Sequence, residues 1–169
     1  MKKMAEALKI SACYIVKNEA ENLAKSIKSL KNQVNEIVVV DTGSTDNTIA
    51  VARKLGANVY SFPWQDDFSK ARNFALSKAK GDWLILLDAD EYFTAKTAGN
   101  IQQIDGILVQ LVNFDVNKAE VQNYFNALRI VRKQAGLQYE GMIHEELKLS
   151  GDNSMKLAQV PASMLEIYH

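Results

Sequence analysis

Residues 81–93 read GDWLILLDADEYF, an apolar run that ends in a cluster of carboxylates. The run from 83 to 87 has the length of one strand, and continuous apolar strands are typical of sheets covered on both faces. Asp88 and Asp90 follow on alternate residues. If the chain turns there, both carboxylates reach one hard cation, Mn²⁺ or Mg²⁺, because such ions prefer oxygen ligands. The alternative interpretation is an acidic turn in contact with solvent.

The same alternation of strand and helix extends back to the start of the chain. The sequence predicts strands over 9–16, 36–41, 57–62 and 82–88, and helices over 18–30, 44–56 and 67–81. Apolar strands joined by single helices predict an α/β fold with a mostly parallel sheet and helices on both faces. Two longer apolar segments, 107–115 and 124–133, predict an antiparallel pair in a smaller, β-rich second half. We interpret residues 1–169 as a single domain.

Composition restricts the class of protein. The 169 residues are 47% hydrophobic and 24% charged, which is typical of a globular domain. Basic and acidic residues number 20 each, so no basic excess indicates a nucleic-acid partner. The single cysteine, Cys13, lies in an apolar run and predicts a buried thiol in a reducing compartment. No apolar run approaches the roughly 20 residues that cross a bilayer. We expect a soluble, cytoplasmic protein, with peripheral association at the inner face of the membrane left open.

Ligands of parallel α/β sheets bind beyond the carboxyl ends of the strands, and this sequence places acidic side chains there. Asp41 ends the second predicted strand, ahead of the residues that are suited to cap the next helix. It is therefore a candidate to accept hydrogen bonds from a nucleobase or a ribose hydroxyl. Glu19 follows the first strand and is a candidate for the same crevice, whereas Asn18 is suited to capping a helix.

Two further side chains could contact phosphate or metal. Arg72 lies on a predicted helix, and arginine matches phosphate oxygens in bidentate geometry. A surface ion pair of Arg72 with Asp66 or Asp67 is an equal alternative. His144 precedes two glutamates, which makes it a candidate third metal ligand, although a lone histidine is more often structural.

Four stretches, taken in order, resemble family 2 glycosyltransferases of the glycosyltransferase A fold. They are residues 10–30, 36–62, 66–93 and 139–147. The likeness is strong over 9–93, weaker through 149 and slight beyond, and it is strongest to bacterial enzymes that modify lipopolysaccharide cores and other surface glycans. It implies a Rossmann-like nucleotide-diphospho-sugar transferase fold. Residues 9–93 would form the nucleotide-sugar-binding half and 94–169 a partial acceptor-side half.

The resemblance also implies a function. The reaction would be an inverting transfer from a nucleoside-diphosphate sugar, with a UDP-sugar favoured, to a hydroxyl of a glycan or lipid-linked acceptor in cell-surface glycan synthesis. A divalent cation would offset the charge that accumulates on the leaving diphosphate. Carried over by position, Glu19 and Asp41 would bind the nucleoside, Arg72 and Asp88 the donor, and Asp88, Asp90 and His144 the cation, with Glu145 or Glu146 as general base.

Three other functions are alternatives to sugar transfer. Members of this family usually extend past this length, so the chain reads as truncated at its C-terminus. A non-catalytic nucleotide-sugar-binding remnant or module is therefore the main alternative. A phosphatase of the haloacid dehalogenase type would carry its D-x-D after the first strand, followed by a threonine where Tyr92 stands here. A sugar nucleotidyltransferase would need a glycine-rich, basic loop after that strand, and residues 14–23 contain no glycine.

Overall fold

A computed structural model describes residues 8–30, 32–95, 104–115, 117–149, 155–161 and 165–169 of the chain. Its strands and helices follow one another in the order β1 (Ile10–Val16), α1 (Ala20–Ser29), β2 (Glu36–Asp41), α2 (Thr48–Lys54), β3 (Asn58–Ser61), α3 (Phe68–Lys78), β4 (Trp83–Leu86), β5 (Tyr92–Ala95), β6 (Gly106–Asp115), β7 (Glu120–Arg132), β8 (Leu137–Glu140), β9 (Glu146–Leu149), β10 (Leu157–Gln159) and β11 (Leu165–Tyr168).

Most of the strands form one mixed sheet in the order β3-β2-β1-β4-β7-β6-β11-β5, with β10 also paired to β6. Strands β3, β2, β1 and β4 are parallel, as the alternating sequence predicts. Strand β7 is antiparallel to both β4 and β6, so the antiparallel pair of the second half extends the same sheet. Strands β8 and β9 form a separate antiparallel hairpin. The predicted α/β class is confirmed, and strand β4 joins the parallel and antiparallel parts.

Both faces of the parallel part of the sheet are covered by helices, as predicted. Leu23 and Ile27 of α1 pack on one face, beside Ile85 of β4. Ala75 and Leu76 of α3 pack on the opposite face. Cys13 lies in that second cluster, and burial raises the pKa of its thiol to about 12. The prediction that Cys13 is buried is therefore confirmed.

The helix boundaries differ from the sequence prediction in ways that shape the site. Helix α1 begins at Ala20, because Asn18 takes a left-handed conformation with φ of 57° and does not cap it. Helix α2 begins at Thr48, four residues later than predicted. Asp67 caps the N-terminus of helix α3, and its side chain accepts a hydrogen bond from the Lys70 amide at 3.0 Å. The helix ends at Lys78, three residues before the predicted glycine.

Helices α1, α2 and α3 span 7 to 11 residues. Across the described parts of the chain, none reaches the length and hydropathy of a membrane-crossing helix.

Gly81 packs so closely on β1 that alanine should not fit there. A Cβ atom at this position would lie 2.7 Å from the Ser11 backbone nitrogen, and Ser11 is buried in β1. We expect Gly81→Ala to lower the free energy of unfolding by about 1–3 kcal/mol, measured by urea denaturation. Lys80→Ala removes an exposed side chain next to it and should leave stability almost unchanged. Equal stability of the two variants would contradict this packing.

Candidate functional site

The carboxyl ends of β1 and β2 are tied together by hydrogen bonds between their loops. The Asn18 amide donates to the Ser44 hydroxyl at 2.9 Å, and the Asn18 side-chain oxygen accepts from the Thr45 amide at 2.7 Å. The Glu19 amide donates to the Thr48 hydroxyl at 2.8 Å. Asn18 therefore links two loops instead of capping a helix, which corrects the sequence prediction.

Asp41 and Glu19 both lie at this edge of the sheet. Asp41 is buried, and its carboxylate accepts hydrogen bonds from the Gly43 amide at 3.1 Å and the Ser44 amide at 3.2 Å. Asp41 therefore holds the turn after β2 and, as expected, takes no part in capping α2. Glu19 accepts a hydrogen bond from the Asn22 side chain at 2.9 Å. Their contact with a nucleoside stays a prediction.

Arg72 of α3 reaches across to the end of β4. Its Nη2 lies 3.0 Å from Asp88 Oδ1, and its Nε donates to Glu145 Oε1 at 2.7 Å. The guanidinium also lies over the Tyr139 ring, 5.4 Å from its centroid. Burial alone would lower the pKa of Arg72, but the negative charges of Asp88 and Glu145 outweigh it and raise that pKa. Arg72 therefore stays charged.

The alternative partners for Arg72 are occupied elsewhere. Asp67 caps α3, and Asp66 accepts a hydrogen bond from the Trp64 indole at 2.9 Å. The structure therefore does not show the alternative, a surface ion pair between Arg72 and either aspartate.

Asp88 lies between two arginines. Besides Arg72, it faces Arg129 of β7, whose Nη2 is 3.4 Å from Asp88 Oδ2. Burial raises the pKa of the Asp88 carboxyl, but the two positive charges outweigh burial and hold that pKa below its ordinary value. Asp88 is therefore an ionised carboxylate in a partly buried position, and not a simple solvated turn residue.

Glu91 is the buried acid of this cluster, with a side-chain exposed fraction of 2%. Its Oε1 lies 2.5 Å from Arg129 Nη2, and its Oε2 accepts from the Asp88 amide at 2.9 Å. Burial raises the pKa of Glu91 to about 7, even though Arg129 acts to lower it. Neither Glu91 nor Arg129 was predicted to be a site residue. A charged residue between Leu128 and Ile130 in an apolar strand was the available signal for Arg129.

The loop between β8 and β9 brings His144 and Glu145 to the same cluster. The Glu145 side chain has an exposed fraction of 15%, whereas that of Glu146 is 75% exposed and lies 3.6 Å from Lys148. His144 is exposed and adopts a φ of 58°. A cavity of about 480 Å³ is lined by Arg72, Asp88, Ala127, Leu128, Arg129, Tyr139, His144, Glu145, Glu146 and Leu147.

Of the predicted metal ligands, Asp88 and His144 line the same cavity, whereas Asp90 is not among the residues that line it. Asp90 is half-exposed, and its Oδ2 lies 3.1 Å from Nε2 of His169, a contact that was not predicted. In the described residues, no three His, Cys, Asp or Glu side chains are grouped closely enough to hold a metal ion. Ligation by Asp88, Asp90 and His144 stays a prediction.

The fold matches that of solved structures of S. aureus TarS. The crystal structure of S. aureus TarS 1–349 superposes with a TM-score of 0.70 and 18% identity, over 95% of this chain and 60% of that one. The same protein in complex with UDP-GlcNAc matches with a TM-score of 0.56 and 25% identity, over 64% of this chain and 36% of that one. The chain therefore has the α/β fold of nucleotide-sugar transferases, as the resemblance implied.

The sequence profile of glycosyl transferase family 2 matches residues 11–150, and the chain belongs to this family. A TPR repeat-containing protein of Synechococcus elongatus is 34% identical over 159 residues, which are 92% of this chain and 38% of that protein. An uncharacterized glycosyltransferase of Rickettsia felis is 44% identical over 96 residues, 57% of this chain and 34% of that protein. This chain thus spans little more than a third of these two relatives.

Because the pKa of Glu91 is raised, the stability of the folded chain should depend on pH. The pKa is about 7 in the folded chain against an ordinary value of 4.5, so the folded state binds more protons between these values. The free energy of unfolding should therefore fall as pH rises from 4.5 to 7, by on the order of 3 kcal/mol from this group. When Glu91→Gln is denatured with urea at several pH values, its free energy of unfolding should fall less than that of the parent chain, by this amount.

Glu21→Gln is a matched control with the opposite sign. Lys25 lowers the pKa of the exposed Glu21 through a hydrogen bond and its positive charge. Glu21 therefore stabilises the fold more as pH rises, and its replacement should slightly steepen the fall. If Glu91→Gln keeps the pH dependence of the parent protein, the assignment of the raised pKa is wrong.

Proposed function

We propose that this chain binds a nucleoside-diphosphate sugar, preferably a UDP-sugar, and transfers the sugar with inversion to a hydroxyl of a glycan or lipid-linked acceptor in bacterial surface-glycan synthesis. The observation that carries the proposal is the convergence of Arg72, Asp88 and Glu145 at the carboxyl edge of the parallel strands. Because the chain spans only part of its relatives, residues of this chain are assigned only to donor binding and to the chemical step. Location in the cytoplasm, at the inner face of the membrane, belongs to the same proposal.

The donor would lie across this edge of the sheet. Glu19 and Asp41, beyond β1 and β2, would face the nucleoside, and Arg72 would face the diphosphate, because guanidinium groups match phosphate oxygens. The choice of UDP is supported by TarS, a protein of the same fold that has been crystallised with UDP-GlcNAc. Asp41 already accepts two turn amides, so only its remaining acceptor capacity is open to a nucleoside.

A divalent cation fits part of this site. Mg²⁺ is commonly held by one or two carboxylates together with substrate phosphates and water. Asp90 suits that role, since it is half-exposed and contacts His169 by a single oxygen. Asp88 has one oxygen towards each of two arginines, so it would hold a cation only where a guanidinium moves towards phosphate. The cation would supply charge neutralisation at the leaving diphosphate.

Glu145 is the better placed of the two candidate bases. Both glutamates line the cavity, but Glu145 is mostly buried against Arg72, whereas Glu146 is mostly exposed and lies near Lys148. In a single displacement, the acceptor hydroxyl attacks the anomeric carbon and its proton passes to a carboxylate as the nucleoside diphosphate departs. A positioned base contributes roughly 10²–10⁴-fold to such a step. The ion pair with Arg72 orients the Glu145 carboxylate.

Nucleotide binding can be tested by thermal unfolding with UDP, GDP, CDP and dTDP, each with and without Mn²⁺. A ligand at 100 times its dissociation constant should stabilise the folded chain by about 2.7 kcal/mol. We expect the largest shift with UDP and Mn²⁺ together, and we expect Asp90→Asn to lose its Mn²⁺-dependent part. Asp82→Asn, at the opposite end of β4, should behave like the parent chain. The absence of any shift with every nucleotide would contradict the proposal.

The general base can be tested with two neighbouring isosteric variants. We expect Glu145→Gln to lower kcat for donor hydrolysis or transfer by roughly 10²–10⁴-fold. Glu146→Gln should stay within about threefold of the parent chain, because its exposed carboxylate makes only a surface ion pair. Equal losses in the two variants would assign the base elsewhere. Nucleotide binding without hydrolysis or transfer would favour the alternative of a non-catalytic nucleotide-sugar-binding module.

A further inference from the structure

Arg129 is a charged side chain whose contacts converge on one turn. It projects from β7, the antiparallel neighbour of β4, with an exposed side-chain fraction of only 16%. Its Nη2 lies 2.5 Å from Glu91 Oε1 and 3.4 Å from Asp88 Oδ2. Its buried Nε has no hydrogen-bond partner among the residues that the structure describes. The guanidinium is thus directed at the turn that follows β4.

We propose that Arg129 is a positioning residue, which fixes the turn over 88–91 through Glu91 and so orients Asp88 and Asp90 towards the donor. This inference rests on the proposed function, because it assigns a role to a side chain behind that same site. The family resemblance supplied no role for Arg129.

Glu91 transmits the effect because it uses both ends of its carboxylate. Oε1 takes the Arg129 guanidinium, and Oε2 accepts from the Asp88 amide at 2.9 Å. The Glu91 amide in turn donates to the Asp88 carbonyl at 3.1 Å, which closes the turn. On the far side, the Ser26 hydroxyl of α1 donates to the Glu91 carbonyl. The turn is therefore held from β7 and from α1 at once.

The charge of Arg129 matters because Glu91 is buried. Removing one partner of a buried ion pair leaves an uncompensated charge, which the remaining group relieves by protonation or by movement. Movement of Glu91 would release the Asp88 amide, and movement of Asp88 would change where its carboxylate points. A lysine would keep the positive charge but not the planar, rigid guanidinium that holds Nη2 against both carboxylates.

A purely structural ion pair is the competing explanation, and Arg132 provides the matched control. It lies on the same strand, its guanidinium lies 4.7 Å from the Trp83 ring centroid, and its Nε donates to the Ile104 carbonyl at 3.0 Å. These contacts lie away from the turn over 88–91. Arg132→Gln should therefore lower stability without changing the turn.

The first measurement is amide hydrogen exchange of the full chain without ligand. In Arg129→Gln we expect the Asp88 amide to exchange at least about tenfold faster, while amides of the central strands, such as Val39, exchange as in Arg132→Gln. Arg129→Lys should lie between Arg129→Gln and the parent chain. If the Asp88 amide changes only as much as the central strands, the inference is overturned, whether or not the chain binds nucleotide.

The second measurement is calorimetric titration with UDP in the presence of Mn²⁺, well below the melting temperature of each variant. Loss of a residue that orients a metal ligand typically costs about 10–100-fold in metal affinity, and we expect this range for Arg129→Gln. Arg132→Gln should bind like the parent chain. Parent-like binding by Arg129→Gln would overturn the inference, whereas no binding by the parent chain would count against the proposed function instead.

A double-mutant cycle tests the route through Glu91. If Arg129 acts through that residue, Arg129→Gln should weaken UDP and Mn²⁺ binding far less in a Glu91→Gln background than in the parent chain. Additive losses would overturn the route through Glu91, because Arg129 would then contact the ligand independently.

Discussion

An ionised carboxylate between two arginines, at the end of a buried strand, is the interaction on which this edge of the molecule depends. Asp88 follows β4, which pairs with parallel β1 on one side and with antiparallel β7 on the other. Arg72 reaches it from the helix before β4, and Arg129 reaches it from β7. Because a partly buried carboxylate needs such partners, the two parts of the sheet must both be in place before the site exists.

Local sequence patterns predicted the frame of this site well. The continuous apolar strands and the single helices between them predicted that these strands are parallel, and Asp88 was expected at a strand end, where ligands of such folds bind. Arg72 was recognised as a phosphate-binding candidate, but its partners could not be chosen from spacing alone. The sequence alone could not decide between the adjacent residues Glu145 and Glu146 as the general base. Only the bend between β8 and β9 places one against Arg72 and the other in solvent.

The remaining residues escaped prediction because their roles arise from contacts between distant parts of the chain. Arg129 meets Asp88 across 41 residues of sequence, and His169 meets Asp90 across 79. No local period or spacing encodes such a pair. Asn18 shows a related limit. Its residue type favours a helix cap. Instead, its side chain accepts hydrogen bonds from backbone amides of the loop after β2, and Asn18 adopts the left-handed conformation that allows these bonds.

The charge balance of the cluster suggests how a ligand would enter it. Two guanidinium groups, Arg72 and Arg129, face three carboxyl groups, those of Asp88, Glu91 and Glu145. A diphosphate alone would bring further negative charge to a partly buried site that already has more acids than bases. A divalent cation entering with the diphosphate would offset that charge, and the arginines could then exchange carboxylate oxygens for phosphate oxygens at little electrostatic cost. Nucleotide and cation should therefore bind as a pair, for a reason that lies in the protein's own charges.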